Sequence, residues 1–174
     1  MPLQDGIWGY GDGNENDEGY GCVYRNVQTL LQMLTGKQPL SVTDLREILQ
    51  VPWSENKKSM WIVPRDAEKL INKLVPCAPT RTRTFTASES TSREVQNFIR
   101  QSLHQAGGLP ILIDNGTSSY LILEERGDFG YLIGDPHKRK PSQRRRLLTE
   151  QNFFRNWKWM TLVVMPSCDH SSRY

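Results

Sequence analysis

Apolar residues recur with one period over the first two thirds of the chain and with another over the last third, and this change restricts the fold more than any other feature. From Cys22 onward, Val23, Val27, Leu30, Leu31 and Leu34 fall three or four apart, the spacing of one helical face, and Gly36 supplies a stop. Ser41 with Asp44 reads as the start of a second helix that buries Leu45, Ile48 and Leu49. Pro64 suits the first turn of a third. The run from Arg81 to Ala87 alternates Thr with other residues and reads as a strand. A further helix is predicted from about Ser92 to Gln105, with Val95, Phe98, Ile99 and Leu103 on one face and Gly107 and Gly108 closing it.

Beyond Gly108 the pattern becomes that of strands. Residues 109–114, 120–125 and 131–134 are predicted as consecutive strands, with Asn115-Gly116 and Gly127-Asp128 as the turns. A short helix around Leu147 to Phe154 and a last strand from Lys158 to Met165 complete the chain. The expected class is α+β, a helical half packed on an antiparallel sheet. With 174 residues and no repeat or long linker, the reading is one domain over residues 1–166 and a polar tail over 167–174.

Hydrophobic residues make up 37% and charged residues 24%, ordinary values for a soluble domain. The longest apolar stretches, such as Leu162 to Pro166, are far too short to span a membrane. Met1 to Tyr10 has neither a basic nor an apolar region of the kind a secretory signal needs. Cys22, Cys77 and Cys168 are an odd set without a C-x-x-C, which argues against a disulfide framework and a structural zinc site. A reducing compartment, cytosol or nucleus, is the expected home. The net charge of +3 is too small to argue for nucleic acid, but it is unevenly spread. No Lys or Arg precedes Arg25, whereas Lys138, Arg139, Lys140, Arg144, Arg145 and Arg146 crowd into one segment. That segment is first a solvated loop; no aromatic lies between His137 and Leu148, as a single-strand RNA binder would require. The acids from Asp12 to Glu18 read first as a solubilising loop.

Two sites could carry chemistry. Gly19 and Gly21 let the backbone turn sharply into the helix that Cys22 opens, and the partial positive charge of that terminus favours a thiolate. Alone, such a cysteine is more often a small buried hydrophobe. Of the three histidines, His104 reads as a surface or capping residue and His170 lies in the tail. His137 stands in Gly134-Asp135-Pro136-His137, at the end of an apolar strand. In extended chain, Asp135 and His137 would project on one side, with Pro136 stiffening the link. An Asp beside a His fixes its tautomer and stabilises the imidazolium. A thiol at a helix start and a strand-end Asp-x-His are the two halves of a nucleophile and base pair.

These residues also carry a resemblance. Gly19-Tyr20-Gly21-Cys22-Val23-Tyr24-Arg25-Asn26-Val27-Gln28-Thr29 closely resembles the nucleophile motif of ubiquitin-fold modifier (UFM)-specific proteases, G-W-G-C-A-Y-R-S-x-Q-T, and Asp135-Pro136-His137 is similar to their D-P-H motif. Tyr10 stands twelve residues before Cys22, as a Tyr does in that family, and Trp61-Ile62 resembles a W-I step of it. Tyr20 in place of Trp, Asn26 in place of Ser, Lys138 after D-P-H, and Asp114-Asn115-Gly116 where a Gly-rich turn is expected are departures.

The resemblance implies a papain-like thiol protease that matures a UFM precursor or cleaves its isopeptide bond to lysine. Cys22 would be the nucleophile, His137 the base, Asp135 its orienting partner and Tyr10 an oxyanion donor. Tyr20, Gly21, Trp61 and Asn115 are the candidates for holding the substrate tail, although an isolated Trp is more often core and Trp61 is assigned there first. No cofactor or metal is implied. The expected protein is a cytoplasmic monomer, which members of the family suggest can be recruited to the endoplasmic reticulum surface. A protease for ubiquitin or an autophagy-type modifier, and an inactive modifier-binding module, are the alternatives.

Overall fold

The computed structural model describes residues 6–77 and 79–165. Its helices are bounded by local signals in the sequence. Helix α1, Cys22–Thr35, ends at Gly36 in the left-handed conformation (φ 67). Helix α2, Val42–Ile48, opens on a reciprocal box: the Asp44 N–H donates to Ser41 Oγ (3.0 Å) and the Ser41 N–H donates to the Asp44 carboxylate (3.1 Å). Helix α3, Pro64–Leu74, has Pro at its first position, and α4, Ser92–Gln105, is boxed by Thr91 and Glu94. A single turn, α5, spans Glu150–Phe153.

The strands are β1 (Arg81–Thr86), β2 (Ile111–Asp114), β3 (Ser119–Glu125), β4 (Tyr131–Gly134), β5 (Arg145–Leu148) and β6 (Trp159–Val164). They form one antiparallel sheet in the order β1-β6-β2-β3-β4-β5. Side chains alternate across it, and both faces are covered. Leu112, Leu121 and Val163 join a core with Val27, Leu30, Leu45, Leu70 and Ile71 of α1, α2 and α3. Ile111, Ile113, Ile122 and Leu162 join Val95 and Ile99 of α4 and Phe153 of α5 on the other side. The sequence reading placed one helical half on the sheet; α4 and α5 make it a three-layer arrangement.

Residues 145–148 correct the expected helix from Leu147. They pair with β4, Gly134 opposite Arg145 and Tyr131 opposite Leu148, and only Glu150–Phe153 is helical. As an edge strand leaving Leu147 exposed, β5 lacks the alternating pattern by which strands are read, and its partner decides its conformation. The expected tail, with Cys168 and His170, lies outside the described residues. Among the described residues no helix is long and apolar enough to cross a membrane.

Two joins matter for the site. Helix α1 packs against β3, where the buried Asn26 Nδ2 donates to Ser119 Oγ (3.0 Å). Strand β4 ends at Gly134 and so delivers Asp135-Pro136-His137 to the same end of the sheet as the start of α1.

Candidate active site

Cys22 is the first residue of α1, so its N–H has no partner within the helix, and its side chain is half-buried. Its position is set from behind. The Gly21 and Tyr20 N–H groups donate to the Asp17 carbonyl (2.8 and 3.1 Å), and the Asp17 carboxylate is wholly buried against Arg25, with Nε 2.7 Å and Nη2 2.8 Å away. Gly21 has an ordinary right-handed conformation (φ −81), so it is not there for backbone freedom. A Cβ at that position would lie 2.7 Å from Asp17 Cβ and Cγ, and only glycine fits.

Asp135 and His137 are brought together by a turn, not by the extended segment the sequence suggested. Asp135 Oδ1 accepts from both the His137 backbone N–H (3.0 Å) and the His137 ring at Nδ1 (2.7 Å). Its other oxygen accepts from Arg146 Nε (3.0 Å). With Nδ1 engaged, the far ring nitrogen is left for Cys22, whose side chain lies beside the imidazole in the same cleft. Burial opposes charge on His137, but the hydrogen bonds and negative charges of Asp135 and Cys22 outweigh it and raise its pKa to about 9. Burial likewise opposes ionisation of Asp135, and the two His137 hydrogen bonds and the Arg146 guanidinium override it, holding the carboxyl well below the usual range.

Tyr10 completes the group. Its backbone N–H donates to the Pro136 carbonyl (2.9 Å), and its ring meets that of His137 edge-on at 5.4 Å between centroids. Its hydroxyl is within hydrogen-bonding reach of Cys22 and of the Gly19 N–H. Burial, then the charges of Cys22 and Asp17, keep that phenol protonated far above its ordinary value.

The basic segment is exposed as the sequence suggested at Lys138, Arg139, Lys140, Arg145 and Arg146, but Arg144 within it, and Asp17 within the acidic segment, are buried. Arg144 is fully buried, bidentate on Asp12 (2.6 and 2.8 Å), and donates to the carbonyls of Ile7, Lys138 and Arg139. It therefore ties the segment leading to Tyr10 to the loop that follows His137. The exposed Arg139 pairs with Glu18.

A cleft of about 560 Å³ runs past Cys22, His137 and Tyr10. Tyr20 and Trp61, two of the four candidates for holding the substrate tail, line it. Trp61 is 51% exposed, which overturns its assignment to the core; its indole N–H donates to the Gly19 carbonyl across the cleft mouth. Gly21 and Asn115 do not line it. The Gly21 N–H is committed to Asp17, and Asn115 Oδ1 turns back on its own loop to accept from the Thr117 and Ser118 N–H groups. Sequence reasoning missed Asp17, Arg144 and Arg146 as supports and Asp114 and Trp159 as cleft residues. No family motif or helical spacing marks them, and Arg144 acts through Asp12, 132 residues earlier in the chain.

A thiol beside an imidazole, itself held by a buried carboxylate at the end of a sheet, defines a cysteine peptidase of papain-like architecture. The comparisons make the assignment particular. The model of peptidase family C78 matches residues 7–165, and the chain belongs to that family. It is 29% identical over 152 residues to a probable Ufm1-specific protease of Oryza sativa subsp. japonica, covering 78% of this chain and 22% of that one. It is 28% identical over 151 residues to human Ufm1-specific protease 2, covering 76% of this chain and 31% of that one. The chain thus spans less than a third of the length of these relatives. The crystal structure of UfSP from C. elegans superposes with a TM-score of 0.69 at 18% identity, covering 92% of this chain and 32% of that one, a likeness of fold.

Proposed function

We propose that this chain is a thiol protease that matures the C-terminus of a ubiquitin-fold modifier and releases the modifier from target lysines. The observation that carries the proposal is the placement of Cys22 beside His137, whose ring is held by Asp135; the names of the relatives supply the substrate. The Cys22 thiolate attacks the carbonyl carbon of the modifier's terminal Gly. The oxyanion takes hydrogen bonds from the Tyr10 hydroxyl and the Cys22 N–H. His137 then gives its proton to the departing amine, which leaves a Gly thioester on Cys22. Water, deprotonated by His137, attacks that thioester and restores the thiolate with release of the Gly carboxylate. Asp135 keeps the imidazole in one tautomer throughout, and Arg146 holds Asp135. The protein acts as a cytoplasmic monomer on modifier drawn from solution or presented at the endoplasmic reticulum surface.

The test is cleavage. A UFM precursor extended beyond its terminal Gly, a UFM–lysine isopeptide, and the matching ubiquitin and autophagy-type substrates would be incubated with the protein and read by intact mass. Cleavage of the UFM substrates after the Gly, abolished by Cys22→Ala, is expected. Cleavage of ubiquitin alone would keep the protease and overturn its specificity.

A further inference from the structure

Resting on the proteolytic reading above, we propose that Asp114 forms a subsite in the cleft that selects a Lys or Arg in the substrate's tail. The register of the sheet places Ser119, Asp114, Thr161 and Thr84 side by side across β3, β2, β6 and β1, and all four line the cleft. At about 4.8 Å per strand, this polar row is roughly 14 Å long. It starts at Ser119, hydrogen-bonded to Asn26 one helical turn from Cys22, and leads away from the nucleophile. Asp114 is therefore one strand from the nucleophile's end of the row, a distance covered by one or two residues of extended peptide at about 3.3 Å each.

Asp114 is the one carboxylate among the described residues that line the cleft. Its Oδ1 accepts from the Gly116 N–H (2.7 Å), and no Lys or Arg of the described residues pairs with it, Arg65 of the cleft wall included. Half-buried by its surroundings, the carboxyl titrates above its ordinary value, which is the state of an acid that lacks a cation. Gly116 also brings an aromatic to the spot. A Cβ there would lie 2.6 Å from Cζ2 of Trp159, so the indole packs directly on the residue that donates to Asp114. A carboxylate and an indole lining the same cleft, with the Thr84 and Thr161 hydroxyls next in the row, suit the charged head and apolar stem of a basic side chain. Precursor and isopeptide conjugate share the whole modifier and differ only beyond its terminal Gly, so a fixed charge in the cleft acts on both by reading the modifier's tail.

The experiment uses UFM variants in which each of the five residues before the terminal Gly is set in turn to Arg, Gln or Glu. Cleavage by the wild-type chain gives kcat/KM, and Cys22→Ala gives Kd for the same tails. At one position Arg should exceed Glu by about tenfold in both, the worth of a partly exposed charge pair. Asp114→Asn should erase that preference and Asp114→Lys should reverse it. Rates and affinities indifferent to tail charge, or a preference that survives Asp114→Asn, overturn the subsite and leave the protease standing. Charge-selective binding without cleavage of any tail supports the subsite and strikes the protease reading alone.

Discussion

The Asp17 carboxylate occupies the space that a side chain on residue 21 would need. Asp17 thereby fixes the turn that presents Cys22, and Arg25, itself on α1, fixes Asp17. The nucleophile and the ion pair behind it belong to one rigid piece of structure. Gly21→Ala should displace Cys22 by about 1 Å and cost about 10²-fold in kcat, since misplacement on that scale is enough. Kinetics of the variant on the cleaved UFM substrate check this; a loss of less than threefold would mean the turn yields freely.

Buried and exposed ion pairs of the same loops should behave very differently. Arg144→Ala leaves Asp12 without its guanidinium and removes the link between the Tyr10 segment and the loop after His137. Removing one partner of such a buried pair costs about 3–5 kcal/mol. Arg139→Ala breaks an exposed, solvent-screened pair with Glu18 and should leave the unfolding midpoint nearly unchanged. Urea unfolding of the two variants side by side gives both values.

The charge on His137 sets an alkaline limit. Its pKa is raised from 6.5 to about 9, because Asp135 and Cys22 outweigh burial. Stability drawn from the imidazolium is full below about pH 6.5 and is lost as pH rises through 9. Both kcat/KM and the unfolding free energy should therefore fall across that interval. In Cys22→Ala one source of the upward shift is gone, and the His137 resonance followed by NMR should titrate at lower pH than in wild type.

Tyr10→Phe separates position from chemistry. The backbone hydrogen bond to Pro136 and the ring contact with His137 need no hydroxyl. The variant should keep its fold and its KM while kcat falls about 10²-fold, the worth of one oxyanion donor. A rise in KM at unchanged kcat would assign Tyr10 to substrate binding instead.

Much of this was legible in the sequence where the cause is local. The start of α1 at Cys22, the Ser41–Asp44 box and Pro64 each act within one turn, and the structure places helices there. The pairing of Asp135 with His137 was readable as well, but its geometry was not: a turn folds both groups onto one oxygen. Tertiary partners decided the rest. Arg144 looked like part of a solvated run until Asp12, 132 residues earlier, was found beneath it. Trp61 looked like core because nothing nearby in sequence reveals that Gly19 receives its N–H at the cleft. The Asp114-Asn115-Gly116 departure was visible as an oddity, but only the sheet register shows that Asp114, and not Asn115, faces the cleft.

The central claim is that Cys22, activated by His137, attacks the terminal Gly of a ubiquitin-fold modifier. UFM ending in Gly with a thiol-reactive group, beside ubiquitin and an autophagy-type modifier bearing the same group, would be incubated with wild type, Cys22→Ala and His137→Ala, and intact mass followed by peptide mapping. The account predicts an adduct with UFM, mapped to Cys22, absent in Cys22→Ala and at least tenfold slower in His137→Ala. No adduct with any modifier, or an adduct on Cys77 that persists in Cys22→Ala, would contradict it.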